Sequence, residues 1–247
     1  MKYKLNPQYA PKFHNFLLDI KSYFKKNDNS IHKARNELKI ITYENIDVVV
    51  KSFKVPNLLR RIFYTYFRDT KAKKSYDNSI KIGDFTPEPI GYIEFFKGGL
   101  LDESYFVAKK FAYDFTIKEP IINKSLQNRD AIFEAFANFT YQLHEKNIFH
   151  KDYSPGNILI KEESSNYIFK IVDINRMEFK PLSLDERLKN FAKLWLLDED
   201  LKTIITAYAK LMNEDEQKCI TIALKHSHAL KRKINMKKRL KGIEVVD

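Results

Sequence analysis

His150-Lys151-Asp152-Tyr153-Ser154-Pro155-Gly156-Asn157 is the stretch that decides the fold, read together with Asp173 at the end of the apolar run Tyr167-Ile168-Phe169-Lys170-Ile171-Val172. The spacing puts a carboxylate, Asp152, ahead of an amide, Asn157, and sets a second carboxylate at the end of a predicted strand. Phosphoryl transfer asks for few protein groups: a carboxylate to accept the proton of the attacking hydroxyl, oxygen ligands for Mg²⁺, and a cation on the ATP phosphates. Asp152 suits the first role, and Asn157 and Asp173 suit the second. The motif follows an amphipathic helical pattern over residues 129–146 and precedes strand-like Ile158-Leu159-Ile160. A phosphotransferase catalytic loop is built in that order. The plainer alternative is a capped turn between helix and hairpin, in which His, Asp and Asn serve turn chemistry alone.

The remaining cation is sought upstream. Val48-Val49-Val50-Lys51 is a β-branched strand pattern ending in lysine and followed by two helical patterns, which makes Lys51 the candidate for the ATP phosphates. Lys54 is the rival on the opposite face of the strand, and a surface lysine on an edge strand is the alternative for either. The helix predicted over 70–82 carries one acid, Asp77, which is the candidate partner of Lys51 although one methylene shorter than the usual glutamate. It fits equally well as an i,i+4 partner of Lys81. No glycine lies between Asn36 and Lys51, so close backbone approach to phosphate is harder there. Arg35 and Lys39 are the candidates to cover the phosphates instead. After Asp173 come Ile174-Asn175-Arg176, with no glycine hinge and no Ala-Pro-Glu. The chain beyond is too short for a peptide-docking half, so a small-molecule or sugar hydroxyl is the expected acceptor. His150 reads as a residue that holds the loop. His144, Cys219, His226 and His228 have no convincing ligand spacing and receive no role.

Composition sets the outer bounds. The 247 residues are 44% apolar and 14% aromatic, enough for a packed core. One cysteine, Cys219, excludes an internal disulfide and a cysteine-rich zinc site. No apolar run approaches the length of a spanning helix, and Met1-Lys2-Tyr3-Lys4-Leu5 lacks the apolar core of a signal peptide. A cytoplasmic location is expected. The net charge of +12, from 44 basic and 32 acidic residues, favours an anionic partner. Seven of the cations fall between Lys231 and Lys241 with no acid among them. That tail reads either as a solvated terminal helix or as a membrane-surface helix. Nucleic acid is the disfavoured partner, because Phe and Tyr sit at core spacing rather than interleaved with the basic run.

The element order divides the chain into residues 1–111, an N-terminal helix and a strand-rich nucleotide-binding lobe, and residues 112–247, a helical catalytic lobe with the basic tail. A helix is expected over 11–24, strands over 37–42 and 46–53, and a helix opened by Pro56-Asn57 with apolar residues at helical spacing. Strands over 90–96 and 104–111 flank Lys97-Gly98-Gly99, residues 112–128 form a connector, and helices resume after the catalytic loop. The fold class is α+β: a two-lobed, protein-kinase-like fold with a small antiparallel sheet lobe and a reduced helical lobe.

The run from His150 to Ile160 resembles the HxDxSPGNIL signature of the bacterial lipopolysaccharide core (Kdo/heptose) kinase family, within the protein-kinase-like clan. Val50-Lys51-Ser52-Phe53, Thr86-Pro87-Glu88-Pro89-Ile90-Gly91-Tyr92 and Asp173-Ile174-Asn175-Arg176-Met177 are similar to further stretches of that family. The resemblance spans residues 35–190. It implies transfer of the γ-phosphoryl of ATP, with Mg²⁺, to a sugar hydroxyl of the inner core on a lipid-anchored anionic acceptor at the cytoplasmic face of the inner membrane. Lys51, Asp152, Asn157 and Asp173 carry over by motif, whereas Asp77 replaces a glutamate. The alternatives are another kinase-like phosphotransferase with a protein or small-molecule acceptor, and a non-catalytic pseudokinase used as a binding module. A cationic tail would contribute about 1 kcal/mol per basic residue near an anionic surface. Deletion of residues 231–247 is therefore expected to reduce liposome co-sedimentation, and unchanged sedimentation would remove the tail from the membrane reading.

Overall fold

The computed structural model describes residues 1–33, 36–164 and 166–244, with residues 31–33 as backbone only. The chain forms two compact units, Met1–Ala112 with Asp173–Asn175, and Tyr113–Val172 with Arg176–Asp247. The short segment 173–175 thus belongs with the first unit, although the element order alone places it in the second.

The first unit is built on an antiparallel sheet of β1 (Lys2–Leu5), β2 (Ser30–Lys33), β3 (Asn36–Tyr43), β4 (Ile46–Phe53), β5 (Pro89–Lys97) and β6 (Leu100–Lys109), in the order β1-β5-β6-β4-β3-β2. Side chains alternate across a strand, and β4 uses both faces. Val48 and Val50 are buried with Ile93 and Val107 against Phe13, Phe16 and Leu17 of α1 (Ala10–Leu18) and Ile20 and Phe24 of α2 (Ile20–Lys26). Phe53 and Tyr92 point the other way, into a smaller cluster with Ala72 and Tyr76. The helix expected over 11–24 is broken into α1 and α2 at Asp19, whose backbone (φ −96°, ψ 16°) leaves the helical region. β3 and β4 turn through Glu44 (φ 50°) and Asn45 (φ 60°), and β5 and β6 through Gly98 (φ 59°) and Gly99 (φ 75°). Two consecutive left-handed residues match the twist of a hairpin. Asn and Glu supply this in the first turn and glycine in the second.

β1 is absent from the sequence-based expectation, because the alternation Lys2-Tyr3-Lys4-Leu5 is only four residues long. It is held as an edge strand by pairing with β5, where charged residues guard a sheet edge. Its neighbour Gly91 has no room for a side chain: a Cβ there would lie 2.7 Å from the Lys4 carbonyl oxygen and 3.1 Å from Leu5 Cδ2.

Between β4 and β5 lie α3 (Leu58–Tyr66) and α4 (Lys71–Ile82). Their N-caps are Asn57, which accepts from the Arg60 amide, and Thr70, which accepts from the Lys73 amide. α4 ends at Gly83 with φ 57°, a left-handed stop. Its buried positions Ala72, Ser75, Tyr76 and Ser79 face the sheet. α3 behaves differently and buries no residue.

The second unit begins with β7 (Phe115–Thr116) and α5 (Lys118–Ile122), inside the stretch expected to be a bare connector. β7 pairs with β9 (Ile158–Glu163), which pairs in turn with β10 (Asn166–Ile171). α6 (Arg129–Glu145) leads into β8 (Ile148–His150), and β8 pairs with β11 (Met177–Phe179). α7 (Leu184–Asn190), α8 (Asp198–Met212) and α9 (Glu216–Arg239) complete the unit. Phe133, Phe136, Phe191, Ile204, Ile205 and Tyr208 form its fully buried interior. Among the described residues no helix is long and apolar enough to cross a membrane.

Replacing Gly91 by alanine forces the β1 backbone away from β5. Overpacking of this kind costs about 1–3 kcal/mol, so Gly91→Ala is expected to lower the urea unfolding midpoint by that equivalent. An unchanged midpoint would mean that β1 is not bound as described.

Candidate active site

Lys51 sits on the face of β4 that also carries Phe53. Its Nζ donates to Asp173 Oδ1 at 2.6 Å and lies 5.4 Å from the centre of the Phe53 ring. Asp173 follows β10 with φ 58°, a left-handed conformation that aspartate tolerates better than most residues. Its Oδ1 also accepts from Asn175 Nδ2 at 2.7 Å. Asn78 of α4 donates to the Ile174 carbonyl at 2.6 Å. Lys51 and Asp173 keep 13% and 34% of their side-chain surface, so the pair is partly desolvated, and removing one charge from such a pair is costly.

The expected pairing of Lys51 with Asp77 is replaced by this one. Asp77 instead binds Lys73 one turn back in α4, at 2.7 Å, and Lys73 also reaches Asp69 at 3.3 Å. Those hydrogen bonds raise the Lys73 pKa, the bond to Asp77 contributing most. The i,i+4 geometry within one helix needs no tertiary adjustment, and the short aspartate side chain favours it. Lys39 is also committed elsewhere. Its Nζ donates to the Phe24 and Asn27 carbonyls at 2.9 and 2.7 Å, capping the C-terminal end of α2. Lys54 is exposed. Arg35, the other candidate for the phosphates, lies outside the described residues.

In the second unit the loop that follows β8 is organised around the Asp152 main chain. Its carbonyl accepts from the Ser154 amide at 2.8 Å and from Asn157 Nδ2 at 2.9 Å. Its amide donates to His150 Nδ1 at 3.0 Å. Since Nδ1 accepts, the His150 ring proton is on Nε2, which donates to the Val172 carbonyl at 3.0 Å. The Asn157 carbonyl accepts from the Val172 amide at 2.9 Å, and the Lys151 amide donates to the Arg176 carbonyl. The loop is therefore stitched to the residue immediately before Asp173. The Asp152 carboxylate itself keeps 38% of its surface and stands 4.0 Å from the Arg176 guanidinium, a loose ion pair that leaves it accessible as a proton acceptor.

Beneath the loop lies a buried polar network that sequence reasoning missed. Asn190 Nδ2 donates to the His150 carbonyl at 3.0 Å, its Oδ1 meets His144 Nε2 at 3.1 Å, and His144 Nδ1 meets the Tyr208 hydroxyl at 2.6 Å. The Tyr153 hydroxyl and Thr140 Oγ1 lie 2.8 Å apart in the same interior, and Phe136 stacks on Tyr153. Burial pushes His144 down to about 4 and pushes Tyr153 upward. Thr140, His144, Asn190 and Tyr208 are polar positions on helices, and Tyr153 lies in the loop after β8. A single sequence does not distinguish them from solvated ones.

The donor types suit a hard cation: Asp173 carries a carboxylate, and Asn157 an amide whose Nδ2 donates to the Asp152 carbonyl. Mg²⁺ commonly takes one or two protein oxygens, with phosphates and water completing the shell. Among the described residues no group of three His, Cys, Asp or Glu is placed to hold a metal.

No family model matches the chain, and no curated protein matches it. Among solved structures, WaaP in complex with acyl carrier protein matches over 96% of this chain and 99% of that one, with a TM-score of 0.63 and 13% identity. The likeness shows the fold: an α+β, kinase-like architecture with an antiparallel sheet unit and a helical unit.

The neutral state of His144 has a consequence for stability. Its folded pKa lies below the unfolded value, so between about pH 6.5 and 4 the unfolded chain binds a proton that the native chain excludes. Stability therefore falls as pH falls through that window. His144→Gln is expected to flatten the pH dependence of the unfolding free energy there by up to about 3 kcal/mol. Identical slopes for variant and wild type would show that His144 titrates normally.

Proposed function

We propose that the protein is an ATP-dependent kinase that phosphorylates a sugar hydroxyl, of Kdo or heptose, in the inner core of lipopolysaccharide, on a lipid-anchored anionic acceptor. The reading rests above all on the 2.6 Å pair between Lys51 and Asp173, a cation and a carboxylate held together at the residue that follows the strand hairpin leaving the Asp152 loop. The fold shared with WaaP and the signature running from His150 to Ile160 support it. A cytoplasmic protein in peripheral contact with the inner membrane suits such an acceptor.

Each residue then has a definite task. Asp152, its main chain clamped by His150, Ser154 and Asn157, accepts the proton of the attacking hydroxyl. The acceptor oxygen forms a bond to the γ-phosphorus of ATP, the bond to the ADP oxygen breaks, and ADP leaves with the electron pair. Lys51 neutralises phosphate charge. Asp173 and Asn157 are the proposed metal ligands, and Mg²⁺ when bound would supply charge neutralisation at the phosphate oxygens. Without nucleotide, Lys51 and Asp173 satisfy one another, and their pairing keeps both side chains in place for phosphate and metal.

Two observations favour a second reading. Asp77 is bound by Lys73, so among the described residues Lys51 is not paired with a helix acid, and the β3–β4 turn has no glycine. A non-catalytic binding module would share both features.

Transfer of labelled phosphate from Mg-ATP to Kdo-lipid A separates these readings. Wild type is expected to label the lipid, and Asp152→Asn to lower the rate by about 10²–10⁴-fold. Asp152-dependent ATP hydrolysis without lipid label would keep the enzyme and discard the acceptor. Absence of transfer, hydrolysis and any Mg-ATP thermal shift would leave the binding module.

A further inference from the structure

α3 is an amphipathic helix turned inside out. Its polar side is fastened to the start of β6. Arg61 Nε donates to the Leu101 carbonyl at 2.6 Å, Arg61 Nη2 lies 3.7 Å from Asp102, and the Leu101 amide donates to Thr65 Oγ1 at 2.9 Å. Leu58, Leu59, Ile62, Phe63, Tyr66 and Phe67 recur at the spacing of a single helical face, and all six are exposed, Leu59 at 77% and Phe67 at 74%. A helix on a globular protein ordinarily turns that stripe to the core. Here the inward hydrogen bonds fix it outward, and an apolar patch of this kind marks an interaction site.

Charge identifies what covers it. From Lys54 to Arg68 the sequence holds four cations and no acid. Arg61 is used to anchor the helix, while Lys54, Arg60 and Arg68 are exposed around the stripe. Leucine and aromatic side chains on one face with a cationic border are the features of a helix that lies in a membrane interface. A second copy of this chain fits worse, because a twofold contact across the stripe would bring like-charged borders together. We infer that α3 docks the protein on an anionic lipid surface, its apolar stripe in the headgroup–acyl boundary and Lys54, Arg60 and Arg68 on the lipid phosphates. The inference rests on the proposed reading only in that a lipid-anchored acceptor gives such docking a purpose. The geometry of α3 stands without it.

The test uses the full chain without ATP or acceptor, sedimented with phosphatidylcholine vesicles containing or lacking phosphatidylglycerol. Wild type is expected to bind the anionic vesicles, more weakly at high salt. Leu59→Ser/Phe63→Ser/Phe67→Ser, which alters only exposed side chains, is expected to lower partitioning at least about tenfold. Arg60→Gln/Arg68→Gln is expected to lower it about fivefold per cation. Wild-type indifference to both vesicles, or triple-variant binding equal to wild type, would overturn the inference. So would a wild-type dimer in sedimentation velocity that the triple variant abolishes while vesicle binding stays absent, since the stripe would then be a self-interface. Phosphate transfer to detergent-dispersed Kdo-lipid A, unchanged in the triple variant, keeps failure of docking separate from failure of the kinase reading.

Discussion

One imidazole sets the geometry on which the rest of the loop around Asp152 depends. His150 receives the Asp152 amide on one ring nitrogen and donates to the Val172 carbonyl from the other, so a single side chain fixes both the start of the loop and the strand end that precedes Asp173. Its own carbonyl is held by Asn190, and Asn190 by His144. The chain of bonds is buried, where an unpaired member would cost heavily. A buried polar network that is satisfied throughout favours one arrangement over its neighbours, and it leaves the Asp152 carboxylate as the part of the loop that stays accessible.

The first unit solves a different problem. A half-buried lysine and a carboxylate on a left-handed residue must be held in position. Pairing Lys51 with Asp173 does this with one contact, and it needs Asp173 in the left-handed region, Asn175 on the same carboxylate oxygen and Asn78 on the next carbonyl. Segment 173–175 joins the first unit through these bonds. Asp77, bound within its own helix, takes no part in them.

Surface charge is arranged with similar economy. Part of the basic surplus is internal: Lys39 caps α2, Arg61 pins α3, and Lys231 donates to the Leu196 carbonyl. The cations left around the α3 stripe and along the end of α9 give the protein its electrostatic character. An exposed apolar stripe next to exposed cations is costly in water and favourable at an anionic interface.

Much was legible in the amino-acid order. The loop around Asp152, the two hairpins, the capped helices after β4 and the strand before Asp173 follow from local spacing, turn chemistry and caps, whose physics acts over a few residues. The kinase-like class follows from the order of those elements. Partner choice was not legible. Lys51 meets Asp173, 122 residues away, because register and burial decide which charges approach, whereas sequence spacing pointed to Asp77. The direction of α3 was hidden as well, since periodicity shows that a helix has an apolar face but not which face finds hydrogen bonds on the sheet. β1 and the His144–Asn190 network were invisible for the same reason: an edge strand of alternating lysines and a buried histidine gain their meaning only from neighbours that the chain brings together in three dimensions.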